Sequence, residues 1–240
     1  MSDEFYIGYE PTMPSGLARR MRAAAIILLL VAPLIAGILI VTQGTSSSAN
    51  FEFGRVRSFQ GTLVEFPYPA LVTPRQVYWL VGGGKHGAQM LVRGRDGQHV
   101  RLSGSLIERD EDRMIEVSPD SIVSLPSLDP IHVETLHSLG AVLVRGEIVD
   151  AKCHLGVMKP GEGPTHRDCA VRCLLGSITP MFAPHRGETA VGRVALVEAD
   201  GRPFSRSLDT LVGRPITIEG EMLARGPLRF LAVTKTAPAS

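Results

Sequence analysis

The distribution of apolar and polar residues divides the chain into two parts of different character. From Ala23 to Val41 nineteen consecutive residues carry no charge. A helix of that length, at about 1.5 Å per residue, is long enough to cross a hydrocarbon core of about 30 Å. Beyond the span, apolar residues recur in short segments with period-two alternation, which is typical of β-strands. The pattern predicts one transmembrane helix followed by a mainly β region.

Basic residues lie on one side of this apolar segment. Arg19, Arg20 and Arg22 precede it, whereas the first charged residue after it is Glu52. Positively charged flanks tend to stay in the cytoplasm. We therefore expect a single-pass membrane protein whose N-terminus is cytoplasmic and whose C-terminal domains are exported.

A cleaved signal peptide is the alternative interpretation of the same segment, because SSSA follows it. The hydrophobic part of a signal peptide usually spans only about 7 to 15 residues, fewer than are found here. We expect an uncleaved anchor instead. The predicted organisation is a cytoplasmic segment at residues 1–22, a transmembrane helix at 23–43 and a flexible tether at 44–50.

The strongest organisational signal in the β region is an internal repeat. Residues 104–117 (GSLIERDEDRMIEV) and 220–233 (GEMLARGPLRFLAV) align without a gap. In each copy alternating apolar residues flank a polar turn, RDED or RGPL, which predicts a two-stranded hairpin. A glycine-bearing strand opens each copy, around Gly61 and Gly146. The same order of elements is therefore expected twice.

Glycine inside a strand usually marks a bulge or a tight bend, at which a small sheet can curl. About five short strands per copy, with one helix in the middle, fit two tandem OB-like small β-barrels. We expect these domains at residues 51–117 and 141–235, separated by a linker at 118–140 and followed by a tail at 236–240. The linker sequence DPIHVETLHSLG is expected to contain a short helix that ends at Gly140.

All three cysteines and two of the seven histidines lie within residues 149–173. The sequence PTHRDCAVRCLLG, in the second part of this region, predicts a short helix. Pro164 and Thr165 stand at its entry, Asp168 is placed as a capping-box partner and Gly176 is placed as its end. The second barrel is therefore expected to carry a short helix inserted after its first strand.

The helix would gather the metal-binding side chains of this region. His166, Cys169 and Cys173 fall at positions i, i+3 and i+7, so they share one helical face. Cys153 and His154 are expected at the end of the preceding strand. A glycine-bearing loop allows the helix to fold back, so that these groups meet.

Three chemical states of the cluster would explain why these side chains come together. The first is a zinc site of the Cys3His type, which acts as a structural staple. Its ligands would be Cys153, His166, Cys169 and Cys173, with His154 nearby or exchanged into the set. The second is a disulfide between Cys153 and one helix cysteine, which an oxidising compartment allows, together with one free thiol.

The third state is a copper site built on the C-x3-C pair of Cys169 and Cys173. Soft sulfur and imidazole ligands select copper, and Met158, Met181 and His185 lie near enough in sequence to contribute. The pair resembles those of the copper chaperones that serve cytochrome oxidase assembly and of the oxidase's own binuclear copper subunit. Haem attachment is not predicted, because no C-x-x-C-H occurs.

A wider resemblance covers roughly the last 95 residues. The run G-E-I-V-D-x-x-C-H, then H-x-x-C-A-x-x-C, D-G-R-P-F and L-V-G-R-P-I-T-I-E-G, is similar to a group of uncharacterised bacterial exported or membrane-anchored proteins with a small β-barrel. The matching residues are Asp150, Cys153, His154, His166, Cys169, Ala170 and Cys173. The sequence departs from the pattern at Ser177 and Thr179, where glycine is usual. The resemblance implies a compact extracytoplasmic module, anchored in the bacterial inner membrane with its C-terminal domains in the periplasm, and no particular reaction.

Composition excludes some classes of function. The chain has 25 basic and 24 acidic residues and only 5% aromatic residues, so no nucleic-acid partner is expected. GGGKHG (residues 82–87) lacks the spacing and hydroxyl residue of a phosphate-binding loop and is interpreted as a hairpin turn. Ser177 and His185 have no nucleophile elbow around them, so we predict no catalytic residue.

The expected function is therefore that of a non-enzymatic accessory or interaction subunit. Its partner would be a larger membrane complex, respiratory or redox, and the Cys/His cluster would be structural. The alternative is a periplasmic thiol-redox or copper-handling protein that uses the pair of Cys169 and Cys173.

Overall fold

The chain divides into a helical unit, residues 1–46, and a β-rich unit, residues 47–240. The computed structural model describes residues 13–42, 49–126, 135–185, 187–188, 191–205 and 208–239. Most of the predicted tether and the first part of the predicted cytoplasmic segment lie outside these residues.

The described part of the first unit contains one long helix, α1 (Ser15–Thr42). It is long and apolar enough to span a membrane, as predicted, although a signal sequence near an N-terminus meets the same criterion. The helix begins eight residues before the predicted span, because the basic segment at residues 19–22 continues it. Arginine is a good helix former and does not interrupt the backbone hydrogen bonds.

The β-rich unit begins with β1 (Asn50–Phe51), and strands dominate both of its halves. The first half continues with β2 (Arg57–Val64), β3 (Ala70–Val72), β4 (Val77–Val81), α2 (Gln89–Val92), β5 (His99–Arg109), β6 (Asp112–Val117) and β7 (Val123–Ser124). The second half contains β8 (His137–Asp150), a π-helical turn (Cys153–Val157), α3 (Arg167–Leu175), β9 (Pro180–Pro184), β10 (Val194–Glu198), α4 (Leu208–Leu211), β11 (Ile216–Arg225) and β12 (Leu228–Pro238).

Strands of the second half form a closed five-stranded barrel in the order β10-β12-β11-β8-β9. All its pairings are antiparallel except that of β10 with β12. In the first half, β5-β2-β3-β4-β6 follow one another in a sheet; β4 and β6 are parallel, and β6 also pairs with β5. The order of pairings is therefore the same in both halves, whereas β1 and β7 are additions to β5.

The two predicted hairpins are confirmed, and their registers are equivalent. Gly104 pairs with Val117 in the first, and Gly220 pairs with Val233 in the second. A Cβ atom on either glycine would lie 2.3 or 2.2 Å from the carbonyl oxygen of the residue before its partner. Such a distance is far below van der Waals contact, so glycine is required where these curved strands approach each other.

Residues 118–140 are only partly a linker. β7 lies within this segment and pairs with β5, while residues 127–134 lie outside the described residues. The predicted helix end at Gly140 is wrong, because 137–140 form the start of β8. These residues complete the ladder with β11, and pairing across a sheet overrides the local preference.

The two halves of the β-rich unit share a hydrophobic core. It contains Trp79 and Ile107 from the first half and Leu155 and Phe230 from the second, and the two aromatic rings meet edge to face. Tyr68 adds a polar connection: its hydroxyl donates to the Leu196 carbonyl at 2.6 Å and accepts from the Phe204 amide at 2.8 Å. Cys153 and Cys173 lie in the same shared core, so the cysteine region is at the junction of the halves.

Candidate metal centre

Asp150 organises the entry to the cysteine region. It is the last residue of β8 and is fully buried. Its Oδ1 accepts a hydrogen bond from the Cys153 amide at 2.8 Å, and its Oδ2 lies 3.0 Å from His166 Nε2. One carboxylate therefore holds the π-helical turn and the start of α3 together. Cys153 and His154 were expected at the end of a strand; instead they lie in this turn, whose first residue, Cys153, donates its amide to Asp150.

The inserted helix forms as predicted, but it begins differently. α3 starts at Arg167, and the N-cap is His166, whose side chain makes no capping hydrogen bond. The capping box expected of Thr165 and Asp168 is therefore wrong, because the chain enters one residue later and the imidazole faces Asp150 instead. The predicted end at Gly176 is confirmed.

The structure brings the three cysteines together as free thiols. Cys153 Sγ lies 3.9 Å from Cys173 Sγ. The possible ligand atoms of Cys153, His166 and Cys169 lie within 4.8 Å of one another, and so do those of Asp150, Cys153 and Cys173. Cys153 belongs to both groups. All four residues of the predicted Cys3His set thus meet around one thiol, and Asp150 joins them as a fifth possible ligand.

These distances fit a metal ion. Two thiolates on one tetrahedral zinc, with Zn–S bonds of about 2.3 Å, lie about 3.8 Å apart. The separation of the Cys153 and Cys173 sulfurs, 3.9 Å, matches this edge. Thiolate and imidazole ligands suit zinc, and a set dominated by sulfur suits Cu(I). The Cys/His/Asp cluster can therefore hold a metal ion, and its donor atoms admit either metal.

A residue that the sequence interpretation did not place at the centre is Lys85. Its Nζ lies 2.8 Å from Cys169 Sγ and 3.6 Å from Cys173 Sγ. It is carried by residues 82–87, the glycine-rich loop, which is a turn closed by a bridge between Val81 and Gly87. The hairpin-turn interpretation is thus confirmed, but the loop also delivers an ammonium group to the thiols.

The glycine-rich loop is held against the second half by its backbone. The Gly87 amide donates to the Gly176 carbonyl at 2.8 Å. Lys152, which is 3% exposed, donates from Nζ to the carbonyls of Gly82 and Gly84 at 2.9 and 2.7 Å and forms an ion pair with Glu116. The run of glycines in the sequence signals this close approach, but it does not indicate the partner.

The thiols differ in charge. Hydrogen bonding from the Cys153 thiol, with a further contribution from Lys85, lowers the pKa of Cys173 to about 7. The pKa of Cys153 is raised well above its usual range, first by the same hydrogen bond and then by burial. The contact with Cys169 raises the pKa of Lys85, which therefore keeps its positive charge. At neutral pH the cluster combines thiolate, thiol and ammonium groups.

His154, proposed as a further ligand, lies in a different environment. Its Nδ1 is 2.9 Å from an Arg109 guanidinium nitrogen and 3.2 Å from a Glu162 carboxylate oxygen. Burial lowers the pKa of His154, whereas its contact with Glu162 lowers the pKa of that carboxyl. Among the residues that the structure describes, His154 belongs to neither group of possible ligands. Its position supports the packing of the hairpin tip of β5 and β6 instead.

The other residues that were proposed to contribute to a copper site lie in different surroundings. Met181 is fully buried in the same core cluster as Cys153 and Cys173. Met158 is 45% exposed. His185 is exposed and is likewise in neither ligand group within the described residues. Of the three, only Met181 shares the buried surroundings of the thiols.

No protein-family model matches the chain, and no curated protein or solved structure is significantly similar to it. The resemblance of the Cys/His pattern to bacterial exported proteins therefore stays a prediction. What the protein does is inferred from the residues and contacts described above.

Proposed function

We propose that this protein is a membrane-anchored metal-binding module, and that its ligand is a zinc ion held at the Cys153 centre. The observation that carries the proposal is the 3.9 Å separation of two buried sulfurs, with further ligand atoms within 4.8 Å of Cys153. Two buried cysteines that are not joined in a disulfide lie at this spacing. Coordination of one shared metal ion explains the spacing better than packing without a metal.

Zinc is favoured by the mixture of donor atoms. Sulfur, imidazole nitrogen and carboxylate oxygen are all ordinary zinc ligands, and a set of this kind binds the ion with a net negative charge. Lys85 supplies a compensating positive charge, since its ammonium lies 2.8 Å from Cys169 Sγ. Such outer contacts to ligands orient them and tune the metal. Cu(I) is the second candidate, favoured by the three sulfurs and by buried Met181.

We further propose that both halves of the β-rich unit are OB-like. The proposal is supported by the recurrence of the same pairings and by the equal placement of α2 and α4 between the third and fourth strand of each set. The π-helical turn and α3 are then an insertion after the first strand of the second set. The metal joins this insertion to β8 and acts as a structural staple.

The biological role that we propose is that of a non-enzymatic accessory subunit of a larger membrane complex, respiratory or redox. In this role α1 anchors the chain with its N-terminus in the cytoplasm, and the β-rich unit lies in the periplasm. Co-purification from detergent-solubilised bacterial membranes tests this role: a stoichiometric membrane-protein partner supports it, and recovery of the chain alone contradicts it.

Metal analysis of the purified full chain in detergent tests the proposed centre. The chain should retain near-stoichiometric zinc, and Cys153→Ser should weaken zinc binding by more than about 100-fold, beyond the usual effect of an outer contact. His154→Gln is the matched control and should bind zinc as the unmodified chain does. Copper in place of zinc would support the second candidate. A chain that binds neither metal would contradict both.

A further inference from the structure

We propose that the three cysteines form a thiol relay in which an external disulfide reacts first at Cys169 and the oxidation ends as a disulfide between Cys153 and Cys173. The oxidised pair then releases the metal ion. The release rests on the proposed function, whereas the relay itself depends only on the positions of the thiols.

The first step is assigned to Cys169 because it is the most accessible thiol. Cys169 is partly exposed, whereas Cys153 and Cys173 are 4% and 1% exposed. Attack on a disulfide needs a thiolate that the other molecule can reach. Lys85 stands on this accessible side and donates a hydrogen bond to Cys169 Sγ at 2.8 Å, so a positive charge lies at the sulfur that the oxidant meets first. An external disulfide therefore meets the sulfur of Cys169 before it can meet the buried pair.

The second and third steps follow from the position of Cys153 between the other two sulfurs. It lies within 4.8 Å of Cys169 Sγ and 3.9 Å from Cys173 Sγ. A disulfide needs about 2.05 Å between its sulfurs, so each bond requires the two sulfurs to approach by at most about 3 Å. Cys153 can thus receive the oxidation from the surface and pass it to the buried partner.

The chemical steps balance with an external disulfide, RSSR, as the oxidant. The Cys169 thiolate attacks one sulfur of RSSR, the S–S bond breaks and one RS⁻ leaves. Cys153 loses its proton and attacks the Cys169 sulfur; a second RS⁻ leaves and takes up that proton. The Cys173 thiolate then attacks the Cys153 sulfur, which returns Cys169 as a thiolate. Overall, the Cys153 thiol and the Cys173 thiolate become a disulfide, and one RSSR is reduced to one RS⁻ and one RSH.

The end product removes shared ligands from the metal. Cys153 belongs to both groups of possible ligand atoms, and Cys173 belongs to one of them. A sulfur in a disulfide is no longer a thiolate ligand. A single oxidation at the buried pair therefore dismantles both groups, so metal occupancy would report the redox state outside the cell membrane.

Glutathione disulfide and the purified full chain in detergent test the relay. Zinc-loaded and chelator-stripped protein are oxidised in parallel, with thiol counting, disulfide mapping by mass spectrometry and a zinc-sensitive dye. The expected product has a Cys153–Cys173 disulfide and a free thiol at Cys169, with zinc released in step. Cys169→Ser should slow oxidation of the buried pair by at least about tenfold, since its entry thiol is lost. Cys173→Ser should accumulate the Cys153–Cys169 disulfide.

The experiment includes a control variant for Lys85 and an alternative to the Cys169→Ser variant. Lys85→Met should slow the first step, and Lys235→Met, at an exposed lysine on β12, should leave it unchanged. If Cys169→Ser does not fold, selective alkylation of Cys169 in the unmodified chain replaces it. Oxidation of the buried pair at an unchanged rate without Cys169, or a final disulfide that contains Cys169, would overturn the relay. Zinc binding without the relay would refute this inference alone. A working relay without zinc binding would refute the proposed function and the metal release that rests on it.

Discussion

The ammonium group of Lys85 lies 2.8 Å from the sulfur of Cys169, although 84 positions in the chain separate the two residues. The lysine comes from the glycine-rich loop of the first half, and the cysteine comes from α3 of the second. The same ammonium lies 3.6 Å from Cys173 Sγ, and its positive charge helps to lower the pKa of that thiol. The chemical properties of the cysteine cluster therefore depend on the packing of both halves.

Replacing Lys85 with methionine should make Cys173 less reactive near neutral pH. Lys85 helps to hold the pKa of Cys173 at about 7, so its removal should raise that pKa. At pH values below the pKa, each unit by which the pKa increases lowers the fraction of Cys173 in the thiolate form by about tenfold. Rates of iodoacetamide alkylation at Cys173, resolved from those at the other cysteines by peptide mass spectrometry from pH 6 to 9 with chelator present, measure the shift. Lys235→Met is the control, and identical profiles for Lys85→Met and the unmodified chain would contradict the role of the contact.

Gly176→Ala should separate the glycine-rich loop from α3. A Cβ atom at Gly176 would lie 1.7 Å from the Lys85 carbonyl oxygen, and the loop backbone would have to move. Overpacking of this kind usually costs about 1–3 kcal/mol. We expect a lower melting temperature together with the alkylation profile of Lys85→Met.

Gly83→Ala is the matched control within the same loop. A Cβ atom there meets nothing within 4 Å, and the residue has no positive φ. This variant should keep the melting temperature and the thiol reactivity of the unmodified chain. Equal effects of the two alanines would show that the loop is sensitive to any substitution and not to this contact.

Tyr68→Phe should weaken the packing between the two halves. The buried hydroxyl donates to the Leu196 carbonyl and accepts from the Phe204 amide, so its loss leaves two backbone groups without this partner. A buried group left unsatisfied costs about 1–3 kcal/mol. Urea unfolding should show that decrease in the free energy of unfolding. Tyr78→Phe, at a half-buried tyrosine, should change it much less.

Mild acid should destabilise the β-rich unit through His154. Burial lowers its pKa in the folded state below the ordinary value of 6.5, so the unfolded chain takes up the proton first. The stability contribution is complete above pH 6.5 and is lost as the pH falls through the lower, folded-state pKa. The slope cannot exceed about 1.4 kcal/mol per pH unit for one proton.

Urea unfolding between pH 7 and pH 5 measures this dependence. His154→Gln should flatten the curve in that window, and His137→Gln, at an exposed residue of β8, should leave it unchanged. Glu162, whose pKa is lowered chiefly by its contact with His154, adds to the loss only below about pH 4.5. A curve for His154→Gln as steep as that of the unmodified chain would contradict the assignment.

The parts of the fold that depend on short-range pattern could be predicted from the sequence. The two hairpins follow from alternating apolar residues around a polar turn, and the cysteine-bearing face of α3 follows from helical spacing. Each pattern lies within one short segment of the chain. In such a segment, the period of the apolar or cysteine positions directly indicates which side chains share a face.

Contacts between distant segments could not be predicted in this way. The glycine-rich loop indicates a close backbone approach, but α3, its partner, follows about 80 residues later. Asp150 was part of the recognised pattern, yet its role in holding Cys153 and His166 depends on how β8 meets the insertion. His154 was proposed as a ligand because it adjoins Cys153, whereas the π-helical turn directs it to Arg109 and Glu162.

The placement of the glycine-rich loop ahead of the cysteines also affects biogenesis. A ribosome completes the first half, with Lys85 and its loop, before it makes any of the three thiols. The second copy of the repeat can therefore fold against a surface that already exists. We expect this order to shorten the time for which newly made cysteines can form disulfides with other proteins.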